Sequence, residues 1–235
     1  MDTTLRDGEQ TSGMSFSEYE KLTISKLLLK DLMVDRIEVA SARVSSGEFN
    51  AVKKILDWAK TENLENKVEI LTFIDDGISL DWMNKSGAKI QNLLSKGSLN
   101  HLKYQLKKTP QQHFNDVEKI IEIANKSKIE TNIYLEDWSN GMKNSKDYVF
   151  SFLNFLEKMP IKRVLLPDTL GVLNPEDAYN YLNEIILKYP NIHFDFHAHN
   201  DYDLSVANTL EGLKAGCHGI HTTINGMGER AGNTP

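Results

Sequence analysis

The stretch I-K-R-V-L-L-P-D-T-L-G-V-L-N-P-E-D-A-Y-N-Y-L-N-E-I-I-L-K-Y-P-N-I-H-F-D-F-H-A, residues 161–198, carries the unit from which the fold follows. Its ends, 161–167 and 192–198, are short apolar runs of strand character. Between them lies a segment of helical period that opens on Asn174-Pro175, a cap residue followed by proline at the first helical position. Strand, helix and strand in that order form a βαβ unit, whose strands lie parallel. The alternation continues in both directions: strand-like runs near 2–6, 35–40, 67–74, 88–94, 130–136 and 218–224 bring the count to eight. Ser17-x-x-Glu20 reads as a capping box, and Thr109-Pro110 repeats the cap-then-proline start. No Pro-, Gly- or Ser-rich linker, low-complexity tract or internal repeat interrupts the series. Eight units without a linker predict an α/β chain folded as one (β/α)8 TIM barrel over residues 1–235, rather than an open doubly wound sheet. The closing Gly-Asn-Thr-Pro, 232–235, looks like the cap and first residue of a further helix, so the expectation is a barrel truncated before its last helix.

Composition narrows the function. A hydrophobic content of 40% suits one sizeable core, and the net charge of -6 is spread along the chain without basic runs. Nucleic acid and anionic membranes are therefore not expected partners. No apolar stretch approaches the roughly 20 residues that span a bilayer, and M-D-T-T-L-R-D lacks the layout of a secretory signal, which predicts a cytoplasmic protein. Cys217 is the only cysteine, so an intrachain disulfide and a CxxC-type metal site are both ruled out; within A-G-C-H-G it reads as a small packing residue.

In an α/β barrel the chemistry sits at the C-terminal ends of the strands. Those ends are rich in polar residues here: Arg6-Asp7, Glu38, Glu136-Asp137, Asp168-Thr169, His197-Ala198-His199 and the loop from Asn225 to Arg230. Residues two apart on a strand face the same side, so His197 and His199 both turn into the barrel mouth. Two imidazoles with the Asp7 carboxylate make a three-point divalent-metal site that leaves positions open for substrate. A hydrogen-bonded histidine pair beside a polar loop is the plainer reading of an isolated H-x-H, and the carboxylate-rich surroundings argue against it. Arg6 offers a fork of donors to an oxyanion or a substrate carboxylate. Glu38 either holds Arg6 in place or takes part in proton transfer.

Four segments, D-T-T-L-R-D-G-E-Q at 2–10, L-P-D-T-L-G at 166–171, H-A-H-N-D at 197–201 and N-G-M-G-E-R-A-G-N-T at 225–234, together resemble the 2-isopropylmalate, homocitrate and citramalate synthase family. That family belongs to a wider group of metal-dependent barrels that includes hydroxymethylglutaryl-CoA lyase. The resemblance implies a Claisen-type condensation of acetyl-CoA, as co-substrate, with a 2-keto acid chelated to a divalent metal (zinc, manganese or magnesium), followed by thioester hydrolysis. It implies Asp7, His197, His199 and Asn225 as metal ligands, Arg6 as the charge-stabilising group, Thr169 as a partner of the keto-acid carboxylate and Glu136 as a catalytic carboxylate. It also implies a homodimer in the full-length protein, a downstream subdomain that lends a catalytic histidine to the neighbouring subunit, and often a regulatory domain. Neither lies within 1–235, so this stretch alone is expected to bind metal and keto acid but to turn over poorly. Leu71, Leu94 and Tyr134, at or near strand ends, are bulky enough to favour pyruvate over 2-ketoisovalerate, and Y-L-E-D-W-S-N-G at 134–141 resembles the citramalate branch; ordinary barrel-core packing is the alternative for these three. A lyase running in reverse lacks its cysteine in N-G-M-G-E-R, an inert scaffold would have lost some of these residues, and a non-haem iron oxygenase would share the two-histidine, one-carboxylate set.

Overall fold

In the computed structural model, which describes residues 1–235, seven parallel strands follow one another in chain order: β1 (Ile37–Ser41), β2 (Val68–Phe73), β3 (Ile90–Lys96), β4 (Glu130–Glu136), β5 (Arg163–Asp168), β6 (His193–Ala198) and β7 (Gly219–His221). The two edges of this sheet meet at Asp2, which forms parallel bridges both to Ile37 at the start of β1 and to Thr222 just beyond β7. The predicted first strand, 2–6, is thereby shortened to a rung around residues 1–3. Asp2 Oδ1 accepts the Thr4 amide at 2.9 Å, and the Thr3 carbonyl accepts the amides of Arg6, Asp7 and Gly8 at 3.1, 2.8 and 3.2 Å. These local bonds divert the backbone from the ladder into a turn. The last predicted strand, 218–224, shrinks to Gly219–His221 and runs into a 3-10 turn at Ile224–Gly226.

The helix starts follow the sequence signals. Ser17 with Glu20, and Thr109 with Gln112, form reciprocal capping boxes, and the Asn174 side chain accepts the Asp177 amide. Each cap satisfies a backbone donor that the first helical turn leaves unpaired. The helices pack their apolar faces on the outside of the sheet in one continuous core that includes Ile37, Val52, Ile70, Ile121, Phe152, Leu182 and Phe196. No helix is long and apolar enough to cross a membrane.

The inside of the barrel differs from the outside. Alternation points Glu69, Asn92, Asn132 and Asp195 inward, joined by Glu38 and His221, and all six are buried. Branched aliphatic layers usually fill this space. Here each buried charge is paired instead: Glu38 with Arg6, Glu69 with Arg163, and Asp195 with Arg36. Asn92 and Asn132 link the first two pairs, since Asn92 donates to Glu38 at 2.7 Å and Asn132 donates to Asn92 at 2.8 Å. Pairing offsets the desolvation that an isolated interior charge would suffer. Only near the mouth does the lumen turn apolar, where Leu71, Tyr134 and Leu165 pack together with Phe73 and Leu94.

A further buried charge fastens the turn that follows Thr3. Lys21, 1% exposed on the helix Glu18–Lys26, places its ammonium 2.6 Å from Glu9 and 2.6 Å from Glu48, and 3.2 Å from the Leu5 carbonyl. One cation thus ties the segment bearing Arg6 and Asp7 to the helix Ser46–Thr61. Replacing it leaves two carboxylates facing each other without a counter-charge. Lys21→Met is expected to lower the unfolding free energy by about 3–5 kcal/mol, read from the urea midpoint; a loss within about 0.5 kcal/mol, the size of an ordinary surface change, would show that the pair of ion contacts carries no such weight.

Candidate active site

His197 and His199 lie on the inward face of β6 and just past its end, and Asp7 comes from the turn opposite. His197 Nε2 is 3.0 Å from Asp7 Oδ2, His199 Nε2 is 3.3 Å from His197 Nε2, and His199 Nε2 is 3.9 Å from the same carboxylate oxygen. All three residues are buried, and they form the one His/Cys/Asp/Glu group suited to holding a metal ion. Donors held about 2.1 Å from one ion, and spread by about 90–110° around it, stand about 3.0–3.4 Å apart. Two of the three separations fall in that range, so the cluster fits a divalent cation with little rearrangement. Burial would raise the Asp7 pKa, but the adjacent Arg6 charge and the His197 hydrogen bond hold its carboxyl well below the usual range. Burial, together with the neighbouring His197, pulls His199 down to about 3. An ionised carboxylate and a neutral imidazole are the forms that bind metal.

Asn225, assigned as a ligand from the resemblance, is not brought to this cluster. It is exposed in the 3-10 turn, with φ 56°, and lies outside the cavity described below. The loop doubles back and delivers Asn233 in its place: its Nδ2 donates to Asp7 Oδ2 at 3.2 Å and to the Met227 carbonyl at 3.1 Å, while its Oδ1 is buried without a partner. Turning that amide over presents a carbonyl oxygen to a cation held by Asp7. The return depends on two glycines. A Cβ on Gly228 would lie 2.5 Å from Asn233 Nδ2, and one on Gly232 would lie 2.2 Å from the Gly226 carbonyl. Both asparagines stand in N-G-M-G-E-R-A-G-N-T, and the loop's path, which spacing does not reveal, decides between them.

Arg6 is clamped on three sides. Its Nε donates to Glu38, Nη1 pairs with Asp7 at 3.1 Å, and Nη2 donates to the Tyr134 hydroxyl at 3.3 Å. Burial opposes its charge, yet Asp7 and Glu38 raise its pKa further, so the guanidinium stays cationic. Of the two roles open to Glu38, the structure supports holding Arg6: it is fully buried, absent from the cavity wall, and occupied by Arg6 and Asn92.

The remaining predicted residues converge on one cavity of about 240 Å³, walled by Arg6, Asp7, Leu71, Leu94, Tyr134, Glu136, Thr169, His197 and His199, with Phe73 and Pro167 added. Thr169 Oγ1 accepts the Asp137 amide at 2.9 Å, leaving its own hydroxyl hydrogen free to donate. Arg230, from the last loop, holds the Thr169 carbonyl at 2.6 Å and Asp201 at 2.8 Å. Glu136 is paired with Lys96 at the end of β3, and His101 Nδ1 lies 3.8 Å from it. The Gly97 amide donates to the Glu136 carbonyl at 2.6 Å, and a Cβ on Gly141 would lie 2.0 Å from the Gly97 carbonyl oxygen, so only glycine permits this close packing behind Glu136. Lys96 and His101 were not foreseen; the inward alternation Asn92, Leu94, Lys96 is the signal that marks the first. Cys217 is buried and its thiol is pushed up to about 12 by burial, as befits a packing residue.

The HMGL-like family profile matches residues 1–235. A 2-isopropylmalate synthase of Sulfurisphaera tokodaii is 32% identical over 238 residues, covering 99% of this chain and 58% of that protein. The (R)-citramalate synthase CimA of Methanocaldococcus jannaschii is 34% identical over 232 residues, covering 99% and 45%. The chain thus spans about half the length of the curated relatives it matches. Among solved structures, a hydroxymethylglutaryl-CoA lyase from Pseudomonas aeruginosa superposes with a TM-score of 0.74 over 100% of this chain and 80% of that one; at 17% identity it shares the fold.

The two asparagines are separable by experiment. Asn233→Ala is expected to weaken binding of a divalent cation about 10–100-fold, measured by competition with a chelator, while Asn225→Gly, which tolerates the positive φ, leaves it unchanged. The opposite ranking would restore Asn225 as the ligand.

Proposed function

We propose that this chain, which belongs to the HMGL-like family, forms the part of an acyltransferase that condenses acetyl-CoA with a 2-keto acid, the keto acid being pyruvate. The observation that carries the proposal is the meeting, in one cavity of about 240 Å³, of a three-point metal centre, a clamped guanidinium, a free hydroxyl donor and a carboxylate. A divalent cation held by Asp7, His197 and His199, with Asn233 at hand, supplies Lewis acidity toward a ketone and chelation of its neighbouring carboxylate. Arg6 directs the N–H groups not engaged by Glu38, Asp7 and Tyr134 at the oxygen where negative charge grows as the carbon–carbon bond forms. The Thr169 hydroxyl donates to the keto-acid carboxylate. Glu136, which lines the cavity, takes a proton from the acetyl methyl group. Glu38 keeps Arg6 oriented from below, a positioning role.

The choice of pyruvate rests on the apolar wall. Leu71, Tyr134 and Leu165 touch one another, with Phe73 and Leu94 packed against them, and bulky side chains on this wall leave less room for a branched substrate side chain than for a methyl group. Identities of 32% and 34% to relatives of the two names do not separate the substrates, which makes the wall the discriminating feature.

Release of free coenzyme A by the full-length protein, with acetyl-CoA and each keto acid in turn, tests the assignment. Pyruvate is expected to exceed 2-ketoisovalerate in kcat/KM by at least about 10–200-fold, the range that a single methylene in an apolar pocket produces. Leu71→Ala should narrow the gap by opening the wall. A preference for 2-ketoisovalerate would reject pyruvate, and no thiol release with any keto acid would reject the condensation.

A further inference from the structure

The inward face of β6 carries Asp195 and His197, with His199 in the same alternation just past the strand end, and of these three only the two histidines reach Asp7. Asp195 sits one step deeper and connects to the metal centre through β7. His221 Nε2 lies 3.3 Å from Asp195 Oδ2, and His221 Nδ1 lies 3.3 Å from His197 Nδ1. Each of the three is at most 3% exposed, so no bulk water competes for these contacts.

Hydrogen-bonding capacity then dictates where the protons lie. For His197 to give the Nε2 lone pair to a cation, its proton must be on Nδ1, and that N–H needs an acceptor. The group facing it is His221 Nδ1, which accepts only if the His221 proton is on Nε2. Nε2 in turn faces a carboxylate oxygen, an acceptor that requires a donor. The three demands agree with one another. Tyr134 does not force the other tautomer: its phenol oxygen accepts from Arg6, and its hydroxyl, which lies 3.2 Å from His221 Nδ1, has Glu38 Oε2 at 3.5 Å as an acceptor of its own.

Asp195 is itself built in. Arg36 Nη2 donates to its Oδ2 at 2.9 Å and His193 Nε2 lies 2.9 Å from its Oδ1. A Cβ on Gly219 would lie 2.3 Å from Oδ1, so the carboxylate occupies room that only a glycine on β7 leaves.

We propose that His221 and Asp195 are positioning residues for the metal ligand His197, joined to it in a carboxylate–imidazole–imidazole chain that fixes which nitrogen of His197 faces the cation. The inference rests on the metal-site reading above and extends it. Metal-bound histidines commonly donate their second N–H straight to a carboxylate or carbonyl; in this barrel the carboxylate lies one ring further away, on the side of the lumen where the strands begin.

Two substitutions at one position separate orientation from packing. His221→Gln keeps an oxygen that can accept from His197, whereas His221→Leu offers similar bulk and no acceptor. Zinc affinity of the metal-free protein, measured by chelator competition, is expected to fall about 10–100-fold in the leucine variant and to stay close to wild type in the glutamine variant. The thermal midpoints of the metal-free proteins are recorded alongside. Equal affinities in the two variants would overturn the chain, because a packing role alone predicts that they change together. Should His221→Leu fail to fold, zinc-loaded wild-type protein labelled with 15N-histidine gives the answer by long-range proton–nitrogen correlation: His221 protonated on Nε2 supports the chain, and His221 protonated on Nδ1 overturns it. A wild-type protein that binds no zinc would sink the metal-site reading and this inference with it, whereas wild-type binding with identical variants would sink only the inference.

Discussion

The arrangement depends on one buried carboxylate, Asp7, kept ionised against burial by the Arg6 guanidinium beside it. A lone charge at that depth would protonate or draw in water. Paired with Arg6 and facing two imidazole nitrogens, it becomes one corner of a donor group suited to a divalent cation. The turn that bears both residues exists because Asp2 and Thr3 end the first rung of the barrel after so few residues. Closing the sheet and placing the charge are therefore the work of the same short segment, and Lys21 pins that segment from behind.

The polar lumen follows from the same need. A guanidinium at the mouth must be oriented, Glu38 orients it, and Glu38 in turn needs Asn92, which needs Asn132. On the other side of the barrel, His197 leads down through His221 to Asp195 and Arg36. Interior space that aliphatic layers would otherwise fill is given to two hydrogen-bonded ladders beneath the site. Replacement of paired interior charges by well-packed apolar residues is often neutral or stabilising, so orientation of the groups above is the physical account of why the ladders are there. The apolar patch of Leu71, Tyr134 and Leu165 lies toward the mouth, where Leu71 and Tyr134, with Phe73 and Leu94, form one wall of the cavity.

Much of this was legible in the sequence, for reasons that particular residues make plain. The strands from β1 to β6 announce themselves as short apolar runs between capped helices, and the His-x-His pair declares its own direction through strand alternation. Residues whose place depends on a turn were harder to read. Nothing local says that D-T-T-L leaves the sheet after Thr3, since the diverting bonds converge on an Asp2 side chain and a Thr3 carbonyl. The choice of Asn233 over Asn225 likewise hangs on how Gly228 and Gly232 let the last loop fold back. Glu69, Asn92 and Asp195 carry no such signal because both faces of a barrel strand are buried. A polar residue in such a strand is recognised as interior only when its partners on neighbouring strands are known.

Both ladders and the clamped guanidinium have their purpose if Asp7, His197 and His199 hold a divalent cation at the barrel mouth. The most direct measurement is anomalous scattering from crystals of the protein grown with Mn2+, collected on both sides of the metal absorption edge. A single strong peak is expected in the mouth, about 2.0–2.3 Å from His197 Nε2, His199 Nε2 and an Asp7 carboxylate oxygen. A mouth without a peak, with the two imidazoles hydrogen-bonded to Asp7, would contradict it.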